Sequence, residues 1–112
     1  MEDRFSQQMK KGVLEMLVLE CISRGGTYGY ELLTRLKEDS GGTFALKEGT
    51  LYPILYRLED DGLIRSSWSE GIGRSAPKKI YSITDQGIRE NERRKAMWHT
   101  FTATVNTVLK GK

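Results

Sequence analysis

The amino-acid sequence predicts an α+β domain that is mainly α-helical and carries one small β-hairpin. Apolar residues recur at helical spacing before residue 62 and again after residue 84. Between these segments, two short stretches alternate in polarity and are rich in β-branched and aromatic residues. Of the 112 residues, 38% are hydrophobic and 29% are charged, a composition typical of one folded domain rather than of a disordered or membrane-spanning chain.

The first helix is predicted over residues 5–24, and its apolar residues are too dense to form a single stripe. A helix with two apolar faces must be covered on both sides. Gly25-Gly26 is its expected end. The two faces carry, respectively, Leu14, Leu17, Val18 and Cys21, and Met9, Val13 and Met16.

The second helix is expected to begin after Thr27, which is a good N-cap residue. Its inward side chains are Leu32, Leu33 and Leu36, and Ser40-Gly41-Gly42 is expected to close it.

A third helix is predicted over residues 48–61. Its apolar side chains follow the i, i+3, i+4, i+7 pattern of a half-buried helix, and Gly62 supplies the stop at its C-terminus. These apolar residues are Leu51, Ile54, Leu55 and Leu58.

The hairpin is predicted to pair residues 63–69 with residues 78–84, around a loop that contains two glycines and Pro77. We expect Trp68 to pack between this hairpin and the helices. Thr84-Asp85 then caps a last helix that runs to about residue 109. This helix carries an apolar stripe at helical spacing, formed by Met97, Trp98, Phe101, Val105, Val108 and Leu109.

Three helices followed by a hairpin make up the winged variant of the helix-turn-helix, and a helix after the wing commonly serves as a dimerisation arm. We therefore divide the chain into a winged helix-turn-helix, residues 1–84, and a C-terminal dimerisation helix, residues 85–112. The second part is not an independent domain. No repeat, linker or low-complexity tract separates the two.

The exposed face of the third helix is suited to double-stranded DNA. Gly49 and Thr50 let the helix N-terminus approach a phosphate closely, and free N–H groups there favour an anion. Pro53 costs little if it lies in the first turn. The other side chains of this face can donate to phosphates or base edges: Tyr52, Tyr56 and Arg57. A second interpretation stays open, in which the tyrosines cover the first helix and Arg57 pairs with a carboxylate.

The net charge is only +3, so its distribution matters more than its sum. Residues 62–112 hold 10 basic against 4 acidic side chains, whereas residues 31–61 hold 4 against 7. In the wing, Arg74, Lys78 and Lys79 surround a Gly-Ile-Gly tip, a pattern that favours contact with a DNA backbone. The acidic run 59–61 restricts DNA contact to the N-terminal half of the third helix.

Three strings of residues resemble the PadR family of transcriptional regulators. They are Tyr-Gly-Tyr-Glu-Leu at 28–32, Glu-Gly-Thr-Leu-Tyr-Pro-Ile-Leu-Tyr-Arg-Leu-Glu at 48–59 with Gly-Leu-Ile at 62–64, and Lys-Ile-Tyr-Ser-Ile-Thr at 79–84. The resemblance covers residues 9–109 and is to the short subfamily with one helix after the wing. It implies a homodimeric repressor of detoxification or drug-export genes, which leaves a pseudo-palindromic operator when a small effector binds.

In multidrug-sensing members of that family, a tryptophan in the last helix stacks on planar aromatic ligands at the dimer centre. Trp98 occupies the matching place, although Lys95 and Thr102 replace an aromatic and an acidic residue there. The resemblance and the apolar residues together suggest an effector pocket formed by Met9, Val13, Met16, Trp98, Phe101 and Thr102. The alternative is a packed dimer seam without a ligand.

Other classes of function find little support. The sequence contains no Ser/His/acid set, P-loop or dinucleotide fingerprint, so we expect no enzymatic activity and no cofactor. Cys21 is the only cysteine and His99 the only histidine, so neither a disulfide nor a metal site is expected. The start of the sequence has no secretory pattern, which suggests a cytoplasmic protein. A winged-helix module that binds protein instead of DNA remains the alternative function.

Overall fold

The computed structural model describes residues 3–71, 73 and 75–111, and it has the predicted order of elements. Within these residues, three helices are followed by an antiparallel hairpin and a long final helix. Their bounds are α1 Arg4–Ser23, α2 Gly29–Asp39, α3 Glu48–Asp60, β1 Ile64–Trp68, β2 Lys79–Ile83 and α4 Asp85–Lys110. The mainly α-helical fold with one β-hairpin is therefore confirmed.

Helix α1 lies at the centre of the domain. It contacts α2, α3, β2 and α4, and Asp3 caps its start by accepting a hydrogen bond from the Ser6 N–H at 2.8 Å. Its C-terminal half is the buried half: Val18, Leu19, Cys21 and Ile22 belong to the core. Burial raises the pKa of the Cys21 thiol, as expected for a small core residue rather than a reactive one.

The start of α2 differs from the prediction, because Thr27 is not its N-cap. Tyr28 takes that position, and α2 begins at Gly29. Thr27 is held instead by the backbone of β2: its N–H donates to the Tyr81 carbonyl at 3.0 Å, and the Tyr81 N–H donates back at 2.7 Å. The Thr27 hydroxyl donates to the Glu31 carboxylate. The bridge to β2 keeps Thr27 extended, and the helix therefore starts one residue later than predicted.

Helix α3 buries the predicted side, and its four apolar residues all belong to the core. Gly62 adopts a φ of 77° and ends the helix, because the chain then turns so that the Leu63 N–H reaches the Leu58 carbonyl at 3.0 Å. Pro53 is the sixth residue of α3 and thus lies in the second turn, not the first. Pro53 has no N–H to donate to the Gly49 carbonyl. Because both residues are exposed, water can take the place of the missing donor.

The hairpin pairs Ile64 with Ile83 and Trp68 with Lys79, so each strand is shorter at both ends than predicted. One face of the hairpin packs onto the core through Ile64 and Tyr81, which are both buried. Trp68 does not pack between the wing and the helices, and that prediction is wrong. It is 69% exposed, because the strand face extends beyond the helices that cover its base.

Helix α4 starts at the predicted cap. The Thr84 hydroxyl accepts from the Gly87 N–H at 3.0 Å and donates to the Gly62 carbonyl at 2.7 Å. Gly87 sits against the backbone of Leu63, where a Cβ would overlap the carbonyl oxygen. The first turn of α4 therefore lies close against the base of the wing.

A polar cluster joins α4 to α1. The Glu20 carboxylate accepts hydrogen bonds from Asn91 Nδ2 and Lys95 Nζ, both at 3.0 Å. Burial alone raises the pKa of Glu20, but its bonds to Asn91, Lys95 and Arg24 outweigh this effect, and the pKa lies below its usual range. Lys95 is thus part of the α1–α4 joint.

The second half of α4 extends beyond the core. The longest dimension of the molecule is 61 Å, and the predicted apolar stripe of α4 is exposed along its whole length. None of the described helices is both long and apolar enough to span a membrane.

Candidate functional site

The predicted DNA-reading face of α3 is open to solvent. Gly49, Thr50, Pro53, Tyr56 and Arg57 are all exposed. They share the side of α3 opposite to the buried leucines and Ile54, so the structure brings them together on one surface. We call this surface the α3 face.

The N-terminus of α3 is open to an external ligand. Lys47 occupies the N-cap position and makes no side-chain capping bond, whereas α1 and α4 are capped by Asp3 and Thr84. The first intrahelical bonds are those of the Thr50 and Leu51 N–H groups to the Lys47 carbonyl, each at 3.0 Å. The N–H groups of Glu48 and Gly49 precede these bonds and lie at the positive end of the helix dipole.

Tyr52 is less accessible than expected. Its ring is half-buried and packs against the core, and its hydroxyl lies so close to Gly29 that a Cβ there would collide with it. The requirement for glycine at the start of α2 therefore comes from Tyr52. Only the remaining exposed part of Tyr52 can contribute to the α3 face.

Arg57 forms the ion pair that the second interpretation of this face anticipates. Its Nε donates to Glu15 Oε2 of α1 at 2.9 Å, and the Arg57 side chain stays 56% exposed. The Glu15 carboxylate also lies 3.8 Å from Arg94 of α4. The pair uses one edge of the guanidinium and leaves its other N–H groups for a second acceptor.

The hairpin, here called the wing, carries the predicted basic side chains. Lys78 Nζ lies 4.3 Å from the centre of the Tyr28 ring, and Lys79 Nζ lies 5.7 Å from that of Tyr81. Neither lysine forms an ion pair with a carboxylate of the described residues. Arg74, the third predicted contact, lies outside the residues that the structure describes.

Tyr81 connects the wing with α3. Burial, and after it the nearby Tyr52, Glu59 and Tyr56, raises the pKa of Tyr81 to about 12. The Ser66 hydroxyl donates to Glu59 Oε2 at 2.7 Å. These contacts fix one face of the wing against α3. The Glu59 carboxylate therefore already accepts a hydrogen bond from within the domain.

Four of the predicted pocket residues line one cavity of about 370 Å³ between α1 and α4: Met9, Val13, Met16 and Trp98. Trp98 is 39% exposed. The other lining residues were not predicted from the sequence, and Phe44 is the largest of them. Phe44 comes from the loop between α2 and α3, and no periodicity assigns such a residue to a site. The other missed residues are Ser6, Lys10, Leu17 and Thr43.

Phe101 and Thr102 do not line this cavity within one chain. Phe101 packs beside Trp98, with ring centres 6.4 Å apart and planes inclined by 37°. The Thr102 hydroxyl donates to the carbonyls of Trp98 and His99 on its own helix, as threonines in helices often do. The place of Phe101 and Thr102 in an effector pocket at a dimer centre therefore stays a prediction. No group of three His, Cys, Asp or Glu side chains among the described residues could hold a metal ion.

Comparison with known proteins decides the family. Residues 18–93 match the model of the transcriptional regulator PadR-like family, which is more than half of the chain. The chain belongs to the PadR-like family. This family consists of transcriptional regulators, not enzymes.

Two relatives with assigned names are about one third identical in sequence. The negative transcriptional regulator PadR of Bacillus subtilis is 32% identical over 78 residues, 70% of this chain and 42% of the relative. The transcriptional regulator YqjI of Escherichia coli is 31% identical over 78 residues, 70% of this chain and 35% of the relative. The PadR-like chain described here thus spans less than half the length of these two relatives.

Solved structures of PadR-like regulators have the same fold. The PadR-like regulator of Bacillus cereus is 40% identical, with a TM-score of 0.78, and the match covers 94% of this chain and 99% of that one. The PadR family regulator of Eggerthella lenta is 35% identical, with a TM-score of 0.83, and the match covers 95% and 89%. The similarity to these PadR-like structures therefore includes α4.

Proposed function

We propose that the chain is a homodimeric repressor that binds a pseudo-palindromic operator in double-stranded DNA and is released by a small planar aromatic molecule. The observation that carries this proposal is the α3 face, which combines an uncapped helix N-terminus with exposed donors next to a basic wing. A phosphate accepts readily from the free N–H groups of Glu48 and Gly49. Thr50, Tyr56 and Arg57 then lie within the first two to three turns, where base edges are reached.

The ion pair of Arg57 with Glu15 is compatible with this role. Two of the five guanidinium donors can serve a phosphate while Nε stays with the carboxylate. Glu15 would then hold the long arginine side chain in place before DNA arrives, which reduces the entropy lost on binding. On the wing, Lys78 and Lys79 supply charge to the backbone of the same DNA, and we assign the same role to Arg74.

A second copy of the chain is the proposed cover for the apolar stripe of α4. Six large apolar side chains in one row are unusual on the surface of a monomer, and their helical spacing suits packing against another helix. A two-fold axis through this contact would place the two α3 helices in successive major grooves, about 34 Å apart. Besides Trp98 and Phe101, the interface would include Met97, Val105, Val108 and Leu109.

The cavity at Trp98 is the proposed effector site. Methionines adapt their shape to different ligands, and Met9 and Met16 line the same cavity as Trp98. Phe44 adds a second aromatic wall from the loop that leads into α3. A planar ligand between these rings would therefore contact both α4 and the segment that positions the DNA-reading helix.

The test is fluorescence anisotropy with labelled DNA from upstream of the protein's own gene, compared with random DNA of equal length. We expect a clear preference for the upstream DNA, and Arg57→Ala or Lys79→Ala is expected to weaken binding about tenfold. Lys110→Ala is the matched control, because it removes an exposed lysine at the C-terminal end of α4, away from the α3 face and the wing.

The effector site has a test of its own. Planar aromatic compounds are expected to release the DNA from the wild type but not from Trp98→Ala. Sedimentation checks that the Trp98→Ala variant is still a dimer.

Equal affinity for both DNAs would contradict the proposal. If the wild type bound no DNA, the winged-helix module that binds protein would be favoured. Release of DNA from Trp98→Ala at the same ligand concentrations would contradict the effector site alone.

A further inference from the structure

Trp68 is the large aromatic residue of the wing that the proposed function leaves without a role. It is 69% exposed and lies at the end of β1, next to the tip of the hairpin. Exposing so much apolar surface on a short strand is costly in water and favours aggregation. Its exposed ring is therefore available to a binding partner.

The register of the hairpin shows which way this face of the wing is turned. Alternate residues of a strand share a face, so Trp68 shares a face with Ser66 and Ile64, and with their partners Lys79, Tyr81 and Ile83. Ile64 and Tyr81 are buried, and Ser66 bonds to Glu59 of α3. Trp68 and Lys79 thus continue, beyond the core, the face that lies against α3.

The space in front of Trp68 is therefore bordered by the wing and, towards the core, by the side of α3 that carries Glu59. Its charged neighbour on this face is Lys79, the residue directly opposite in the register, whereas the Lys78 side chain lies over the Tyr28 ring. An indole beside a lysine suits an anionic partner that also has apolar surface. A DNA strand offers both, because deoxyribose rings separate its phosphates.

We propose that Trp68 is a DNA-contacting residue that packs its indole ring on the sugar–phosphate strand running between the wing and α3. The ring lies against deoxyribose, and its Nε1–H donates to a phosphate. This inference rests on the proposed DNA binding and adds an apolar contact to the wing, whose other predicted contacts are electrostatic. A contact of this kind is independent of salt, unlike those of Lys78 and Lys79.

The experiment compares Trp68→Ala and Trp68→Phe with the wild type in DNA binding over a range of salt concentrations. Trp68→Ala is expected to weaken binding about tenfold, whereas Trp68→Phe keeps a ring and is expected to lose about twofold. The slope of log affinity against log salt stays unchanged in both, because no charge is removed. Lys79→Ala is the contrasting variant, since it lowers the slope by about one. Ser67→Ala, on the opposite face of β1, is the matched control and retains wild-type affinity.

Tryptophan emission gives a second readout. The chain has two tryptophans, so the DNA-induced change in emission that belongs to Trp68 is present in the wild type and absent in Trp68→Phe. The emission of free wild-type protein is expected to include an exposed indole that DNA then quenches.

Three results would overturn the inference while leaving the proposed function intact. In the first, Trp68→Ala binds DNA like the wild type. In the second, its salt slope falls together with its affinity, which indicates a disordered wing that has lost its lysine contacts. In the third, Trp68 emission is already that of a buried indole and does not respond to DNA, which indicates cover by a second copy. A wild type without affinity for DNA would overturn both proposals.

Discussion

Single residues decide how closely the elements of this domain approach one another. Gly87 and Gly29 both lie where a Cβ would collide, with the Leu63 carbonyl in one case and with the Tyr52 hydroxyl in the other. Gly12, by contrast, has open space around it in the middle of α1. The sequence shows twelve glycines but not which of them permit contact, because that depends on a neighbour distant in the chain.

Gly87→Ala and Gly12→Ala form a matched pair of helical substitutions. Gly87→Ala is expected to lower the free energy of unfolding by about 3 kcal/mol, because the new methyl group meets rigid backbone. Gly12→Ala is expected to raise it by up to about 1 kcal/mol, because alanine restricts the unfolded chain and favours the helix. Urea denaturation measures both. Similar values for the two variants would show that Leu63 moves away from the added methyl group.

Residue-scale prediction from sequence succeeded where one local rule governs the position. Thr84 caps α4 and Gly62 ends α3 as expected, because each depends only on the helix beside it. Thr27 has equally good capping chemistry, but a long-range bridge to Tyr81 overrides it. Trp68 was misplaced for a similar reason: a strand pattern shows which residues share a face, but not where the core beneath that face ends.

At the scale of elements, ion pairs tie α4 to the rest of the domain. Glu90 bonds to Arg93 at 2.7 Å and to Arg94 at 2.7 Å, and Arg94 in turn lies near Glu15 of α1. The hydrogen bonds from Arg93 and Arg94 lower the pKa of Glu90 from 4.5 to about 2. The carboxylate is thus more strongly ionised in the folded chain than in the unfolded one.

This difference in pKa predicts a pH dependence of stability. A lowered pKa in the folded state stabilises the protein above pH 4.5, and this contribution is lost as the pH falls from 4.5 towards 2. Because the pair is partly exposed, we expect Glu90→Gln to cost about 1 kcal/mol at neutral pH. Thermal melting of the variant and the wild type should converge near pH 2. Glu92→Gln is the control, since that carboxylate is 69% exposed, and a loss as large as that of Glu90→Gln would contradict the assignment.

The elements themselves could largely be predicted from periodicity. The buried side of α3 matches because an apolar period records which side of a helix avoids water. The apolar stripe of α4 has the predicted helical spacing, but it is exposed in the single chain. The cavity between α1 and α4 was predicted only in part. Its helical residues Met9, Val13 and Met16 lie on one face of α1, but Phe44 enters from a loop whose path the sequence does not reveal.

At the scale of the whole molecule, half of α4 extends away from the core. Phe101 is 62% exposed near the middle of the apolar stripe, so we expect Phe101→Asp to place two charges against each other in a symmetric dimer and to separate the subunits. Ala103→Asp introduces the same charge on the opposite side of α4 and is expected to remain dimeric. Sedimentation equilibrium measures both, and a wild type with the mass of one chain would contradict the dimer.

The bonds of Thr84 have a mechanical consequence. Its hydroxyl joins the end of α3 to the start of α4, and its N–H donates to the Leu63 carbonyl at the base of the wing. The end of α3, the base of the wing and the start of α4 therefore meet at Thr84. A tilt of α4 at its first turn is expected to move the base of the wing as well. Trp98 lies about 20 Å along the helix from Thr84. Over this length, a displacement of about 1 to 2 Å at Trp98 corresponds to a rotation of up to about 5° at the base of the wing.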